Sequence, residues 1–290
     1  MKKLLYITLG VLLVSMTSCY EDFKEDFEVS SLYFPHQKPL RTVFTSDTDI
    51  EVGIVLGGKR HNEVTELASF SLAPDLLPDG VSLLPGSHYT MHVGEDSVIE
   101  VKSGEFQGQF RLTFTDDFYV DDLSLGNNYV LPIKLTGFTT DQVLAGKDYV
   151  LLMVKYINDF HGTYYQLGTV NGKVYKYDED AGRTGLTDDL RIYDALEVTT
   201  SGVNQVVVPA IGDGTEVTNS LELNVDPESL ALSAALGTPD PNVQILNFSG
   251  KVASNKALVY TYSYQIGTED PVPVYDSLVF RDNGVVFETW

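Results

Sequence analysis

Cysteine is all but missing from this chain of 290 residues: there is one, Cys19, and one tryptophan, Trp290. A single thiol rules out an intrachain disulfide and a multi-cysteine zinc site, so the fold must be held by apolar burial. Basic residues are scarce too, 19 Lys and Arg against 41 Asp and Glu, for a formal charge of −22. That balance argues against nucleic acid, whose binding needs clustered cations to release counterions, and against docking on anionic lipid. Gly-x-Ser-x-Gly is absent, and the glycine-rich run Ala210–Gly214 lacks the Lys-Ser/Thr ending of a phosphate loop. Neutral sugars, cations and proteins stay open as partners.

The lone cysteine stands in a telling place. Met1-Lys2-Lys3 is a basic start, Leu4–Val14 is a short apolar run, and Met16-Thr17-Ser18 leads into Cys19. That order reads as a secretory signal, residues 1–18, whose mature end is a lipid-modified Cys19. The apolar run falls short of the roughly 20 residues a spanning helix needs, so the chain is expected to be anchored, not spanning. Cleavage would remove Lys2 and Lys3 and take the charge to −24. Residues 19–29, with Glu21, Asp22, Glu25, Asp26 and Glu28, read as an acidic tether. They also resemble the acidic export signal of Bacteroidota surface lipoproteins, which implies an outer-membrane address facing the cell exterior.

Past the tether the chain reads as strands. Phe106, Phe110, Leu112 and Phe114 share a period-two face, as do Leu258, Tyr260, Tyr262, Tyr264 and Ile266. Glu63–Phe70 is expected to form a short helical turn, and Asp226–Gly237 fits helix or strand. Asp282-Asn283-Gly284-Val285 predicts a type I′ hairpin that sets Phe280 opposite Phe287 and Trp290 opposite Ser277. A seam near Asn158-Asp159 divides two all-β, antiparallel domains. Residues 30–157 are expected as an immunoglobulin-like sandwich, and 158–290 as a ligand-binding sandwich or barrel-like domain.

Leu32-Tyr33-Phe34-Pro35-His36-Gln37-Lys38-Pro39-Leu40-Arg41-Thr42, Gly104–Phe118 and Tyr129-Val130-Leu131-Pro132-Ile133 resemble a domain of Bacteroidota surface lipoproteins known as domain of unknown function 1735. Tyr156–Tyr164 resembles the junction into the second domain these lipoproteins carry. The resemblance implies a place in a polysaccharide-utilisation system, beside an outer-membrane glycan importer. Some relatives carry a glycosidase barrel after this domain. The roughly 130 residues past the seam are too few for a barrel of about 250.

Candidate sites follow from residue chemistry. A sugar's C–H face stacks on an aromatic ring while acidic or amide groups bind its hydroxyls. That makes Trp290, Tyr164, Tyr165, Tyr175, Tyr177 and Tyr193 candidate contacts, with Asp178 and Asp180 beside them; Tyr262 and Tyr264 fit a core face better. Calcium is the one ion considered, at Asp178-Glu179-Asp180, though the EF-hand spacing is absent. His88 and His92 lie too far apart along a strand to share a metal. No catalytic residue stands out, so the expected function is noncatalytic glycan binding. The alternatives are a structural or adhesion lipoprotein with a protein partner, and a small glycoside hydrolase with two facing carboxyls.

Overall fold

The computed structural model describes residues 29–174, 195–212, 214 and 217–290. The protein is nearly all β, with 55% strand and 7% helix. Its first eleven strands are β1 (Ser31–Tyr33), β2 (Pro39–Phe44), β3 (Asp49–Gly57), β4 (Glu66–Leu72), β5 (Ser82–Leu83), β6 (Tyr89–His92), β7 (Val98–Val101), β8 (Gln107–Phe114), β9 (Tyr129–Phe138), β10 (Gln142–Val143) and β11 (Tyr149–Ile157). One helical turn, α1 (Asp116–Tyr119), follows β8. They form a sandwich. One sheet has the order β10-β1-β3-β8-β6; the facing sheet runs β2-β11-β9-β4-β7, with β5 on β9.

The remaining strands are β12 (Gly162–Val170), β13 (Lys173–Val174), β14 (Ala195–Gly202), β15 (Gln205–Val208), β16 (Leu221–Val225), β17 (Ala231–Leu236), β18 (Val243–Val252), β19 (Leu258–Ile266), β20 (Val272–Asp282) and β21 (Glu288–Thr289). β12 and β14–β20 pair in order, and β12 pairs with β20, so eight strands close into a barrel. The period-two tyrosines of β19 fill it. Tyr260, Tyr262 and Tyr264 are buried there with Tyr164, Leu258, Leu278 and Leu223, a packed interior.

Two local expectations are corrected, and one left open is resolved. Glu63–Phe70 is no helical turn but leads into β4, with Ala68 and Phe70 facing the core. The strand period is masked there because Glu66 points inward, bonded to Lys59 and Thr139, while Leu67 points out. Asp226–Gly237 resolves into a turn, its amides at Glu228 and Ser229 bonded to Asp226, followed by β17. The Asn-Gly hairpin does not form. Gly284 has φ 65° but Asn283 is not left-handed, whereas a type I′ turn needs both. The chain instead leaves the barrel, and β21 adds to the edge of β2, with Leu40 opposite Glu288. Phe280 meets Tyr164 across the barrel wall, ring centroids 5.3 Å apart.

The reason lies in β11. Val150–Val154 is apolar on both faces, so each face needs a cover. Val150, Leu152 and Val154 join the sandwich core, while Leu151 and Met153 point the other way with Leu40 and Val130. Trp290 packs on that second cluster, and its indole N–H donates to the Leu151 carbonyl at 3.1 Å. A buried aliphatic patch outcompetes a local turn preference.

Candidate functional site

The two halves meet at the seam, where Asn158, Asp159, His161 and Gly162 each have a structural task. Asn158 is buried, with 1% of its surface exposed. Its side chain donates to the carbonyls of Gly202 (3.1 Å) and Gln205 (2.7 Å) and accepts from the Phe160 amide (3.0 Å). Its own amide donates to Thr200 Oγ1. The end of β11 is thereby clasped to the β14–β15 hairpin. Asp159 accepts from Ser46, tying the seam back to the sandwich. Gly162 has φ 149°, and a Cβ there would lie 2.3 Å from the Asp282 carbonyl oxygen. Only glycine lets β12 start so close to the end of β20.

His161 completes the seam. Its Nδ1 accepts the Thr200 amide at 3.2 Å, so the ring is neutral with its proton on Nε2. Burial lowers the His161 pKa below its ordinary value; Glu197 works upward, and Lys155 again lowers it. Beside the ring opens a cleft of about 350 Å³. Lys155 and Thr42 come from the sandwich, His161, Thr163, Glu197 and Thr199 from the barrel, and Asn283–Val286 with Glu288 from the returning C-terminal segment. Lys155 Nζ and a Glu288 carboxylate oxygen lie 4.0 Å apart. Donors, acceptors and hydroxyls thus converge on a space of ligand size, and Val286, 68% exposed, adds an apolar wall.

β21 pairs with β2 only at Pro39 and Leu40. Beyond Leu40, Thr42 faces the cleft from an edge that no described strand covers. The C-terminal segment is therefore a strap held at its far end by Trp290, with the cleft under its middle.

The sequence candidates fall elsewhere. Trp290 is half-buried on the sandwich, with the Lys38 ammonium 4.9 Å from its ring centroid, so it anchors the strap and does not line the cleft. Tyr164 is fully buried, its hydroxyl donating to the Phe160 carbonyl, and offers no ring face to a ligand. Tyr165 lies on the outside of the barrel near the Arg281 guanidinium. Tyr262 and Tyr264 are core, and Tyr262 accepts the Gly212 amide. Cys19, Tyr175, Tyr177, Asp178, Asp180 and Tyr193 lie outside the described residues. His88 bonds Asp121 and His92 bonds Thr113, so the two rings serve separate partners. Lys155, His161, Glu197 and Asn283 were missed as a group. The available signal was the seam itself, since ligand clefts gather at domain junctions.

A family model described as a "-like, N-terminal domain" matches residues 25–142, which include most of the sandwich. No curated protein matches. A crystal structure of a protein of unknown function from Bacteroides ovatus superposes with a TM-score of 0.74. It is 19% identical, and the match covers 91% of this chain and 98% of that one. The sandwich-plus-barrel arrangement is thus shared as a whole. An auxiliary nutrient binding protein from Bacteroides thetaiotaomicron matches at TM-score 0.42 and 12% identity, over 82% of this chain and 89% of that one.

Proposed function

We propose that this protein is a noncatalytic glycan-binding lipoprotein, held by a lipid on Cys19 at the outer face of the cell and serving an oligosaccharide importer. The observation that carries the reading is the cleft at the seam. Lys155, Glu197, Glu288, Thr163 and Thr199 offer hydrogen bonds around a rigid junction, the arrangement that fixes hydroxyl-rich ligands. The charge of −22 supports a neutral ligand over an acidic one.

Strand direction supports the orientation. β1 starts at Ser31 beside Gly57, the end of β3. The other end of β3 lies by the seam, where the Thr45 amide donates to the Ile157 carbonyl and the Phe114 amide to Thr48. The chain therefore enters at the pole of the sandwich remote from the barrel. A lipid on Cys19 would leave barrel and cleft facing away from the membrane.

The test is a glycan array with the chain from Tyr20, with and without calcium, followed by product analysis. Selective retention without cleavage is expected, lost in Glu197→Ala with Lys155→Ala. New reducing ends would replace the reading by a hydrolase. Silence across the array would sink it in favour of a structural or adhesion role. Labelled palmitate should enter the whole chain in its host and not Cys19→Ala.

A further inference from the structure

The sandwich has a second cavity, on the other side of the β2 edge from the cleft. β3 runs from Asp49 to Gly57, but β1 is three residues long and pairs only with Val55–Gly57. The same edge of β3 from Asp49 to Ile54 has no described strand beside it. The Leu56 amide donates toward β8, to the Phe106 carbonyl. Strand alternation then turns the N–H and C=O of Glu51 and Gly53 the opposite way, into the opening. Gly53 has no side chain to cover them.

The cavity measures about 270 Å³; its rim carries His36, Arg41, Glu51, Gln107 and Gln109, and core residues such as Ile54 and Leu152 line the rest. Gln109 donates to Glu51, which orients the carboxylate. Phe287 stands beside it on the strap. Its ring is 4.7 Å from the His36 ring and 5.5 Å from the Arg41 guanidinium, yet 52% of the residue is exposed. The ring is fixed in place without being buried, which core packing does not require.

Rings, a carboxamide, a guanidinium, a carboxylate and backbone polar groups surround a space the size of one pyranose. We propose that this groove is a second sugar-binding subsite, with Phe287 and His36 as the stacking platform and Arg41, Glu51, Gln109 and the Gly53 backbone as hydroxyl partners. The inference rests on the glycan-binding reading above and adds a separate point of contact. The ligand is neutral: Arg41 is matched by Glu51 within the groove, and the acidic chain repels uronates. Phe287 belongs to the strap whose Val285, Val286 and Glu288 wall the cleft, so one oligosaccharide reaching both sides would gain by avidity.

The test titrates cello-, manno-, xylo- and maltohexaose into the chain from Tyr20, by calorimetry and by following the His36 ring-proton resonance. One hexaose should move that resonance, and Phe287→Ala should weaken its binding about tenfold with little change in thermal midpoint. Gln109→Ala, on a different strand, should weaken it too, while Glu197→Ala in the cleft should leave the His36 shift in place. If a hexaose or an arrayed glycan binds while His36 stays still, or if both groove variants bind like the wild type, the second subsite falls and the cleft reading stands. If nothing binds in titration or array, both fall together.

Discussion

The barrel pairs β12 with β20 and so has no open edge in its ring of eight strands, whereas in the sandwich beside it no described strand covers β3 from Asp49 to Ile54 or β2 past Leu40. Both halves are built from the same kinds of residue. The sandwich core gathers Phe114, Phe118, Tyr119 and Tyr156 in edge and tilted contacts, and the barrel gathers Tyr164, Tyr260, Tyr262 and Tyr264. What differs is closure. A closed barrel buries Tyr164, Tyr260, Tyr262 and Tyr264, so these rings are closed to a ligand. The open edges of the sandwich, bridged by a strap, border both cavities. Aromatic content is thus a poor guide to the site, and unfinished pairing a better one.

The comparison breaks most directly at barrel closure. Gly162→Val should put a side chain against the Asp282 carbonyl and destabilise the protein by about 4 kcal/mol in urea unfolding. A loss below about 1 kcal/mol would mean that the β12–β20 seam tolerates a gap. Asn158→Ala should cost about 3 kcal/mol, since the Gly202 and Gln205 carbonyls lose buried partners. The barrel alone should not compensate, and cleft binding should weaken in parallel. Two separate unfolding transitions in this variant would show that the clasp couples the halves.

Trp290→Ala tests the strap. The indole is half-buried, so the loss should be about 2 kcal/mol, below the roughly 3–5 kcal/mol of a fully buried aromatic. If the strap is what completes the cleft, glycan affinity should fall by more than the stability change predicts. Equal affinity would make Trp290 a cover for β11 and nothing else.

Much of the local architecture was legible. The alternation in β8 and β19 identified strands and their buried faces. The failures share a cause. Glu66 inward and Leu67 outward invert the usual pattern, because Lys59 and Thr139 meet Glu66 from distant parts of the chain. Asn283-Gly284 carries a strong local turn signal, but the two-sided apolar strand β11 captures Trp290 from across the molecule. The cleft draws on residues near 42, 155–163, 197–200 and 283–288, and no local pattern in one sequence joins them. The tyrosines of β19 were read as core, as they are, whereas Tyr164 was read as a candidate contact although closure buries its ring.

A smaller effect follows from His161. Burial lowers its pKa in the folded state, so below the unfolded value near 6.5 the unfolded chain takes up the proton first. This part of the stability is present above about pH 6.5 and is lost as pH falls through the folded pKa, with a slope of at most about 1.4 kcal/mol per pH unit. His161→Gln should flatten that slope between about pH 5 and 7, while leaving the steeper loss at lower pH that comes from the hydrogen-bonded carboxylates Asp121, Asp141 and Asp226. An unchanged slope would mean that the Thr200 amide does not hold the neutral ring.

The smallest effect sharpens the comparison from the barrel's side. Tyr165 is the one described sequence candidate whose ring lies on the outer barrel wall, near Arg281, and it lines neither cavity. Tyr165→Ala should change stability by less than about 0.5 kcal/mol and leave glycan retention as it was. A clear loss of binding would give the closed barrel a binding face of its own. Cavities at open edges would then no longer account for where this fold takes its ligand, and the outward residues of β12 and β20 would have to be scanned instead.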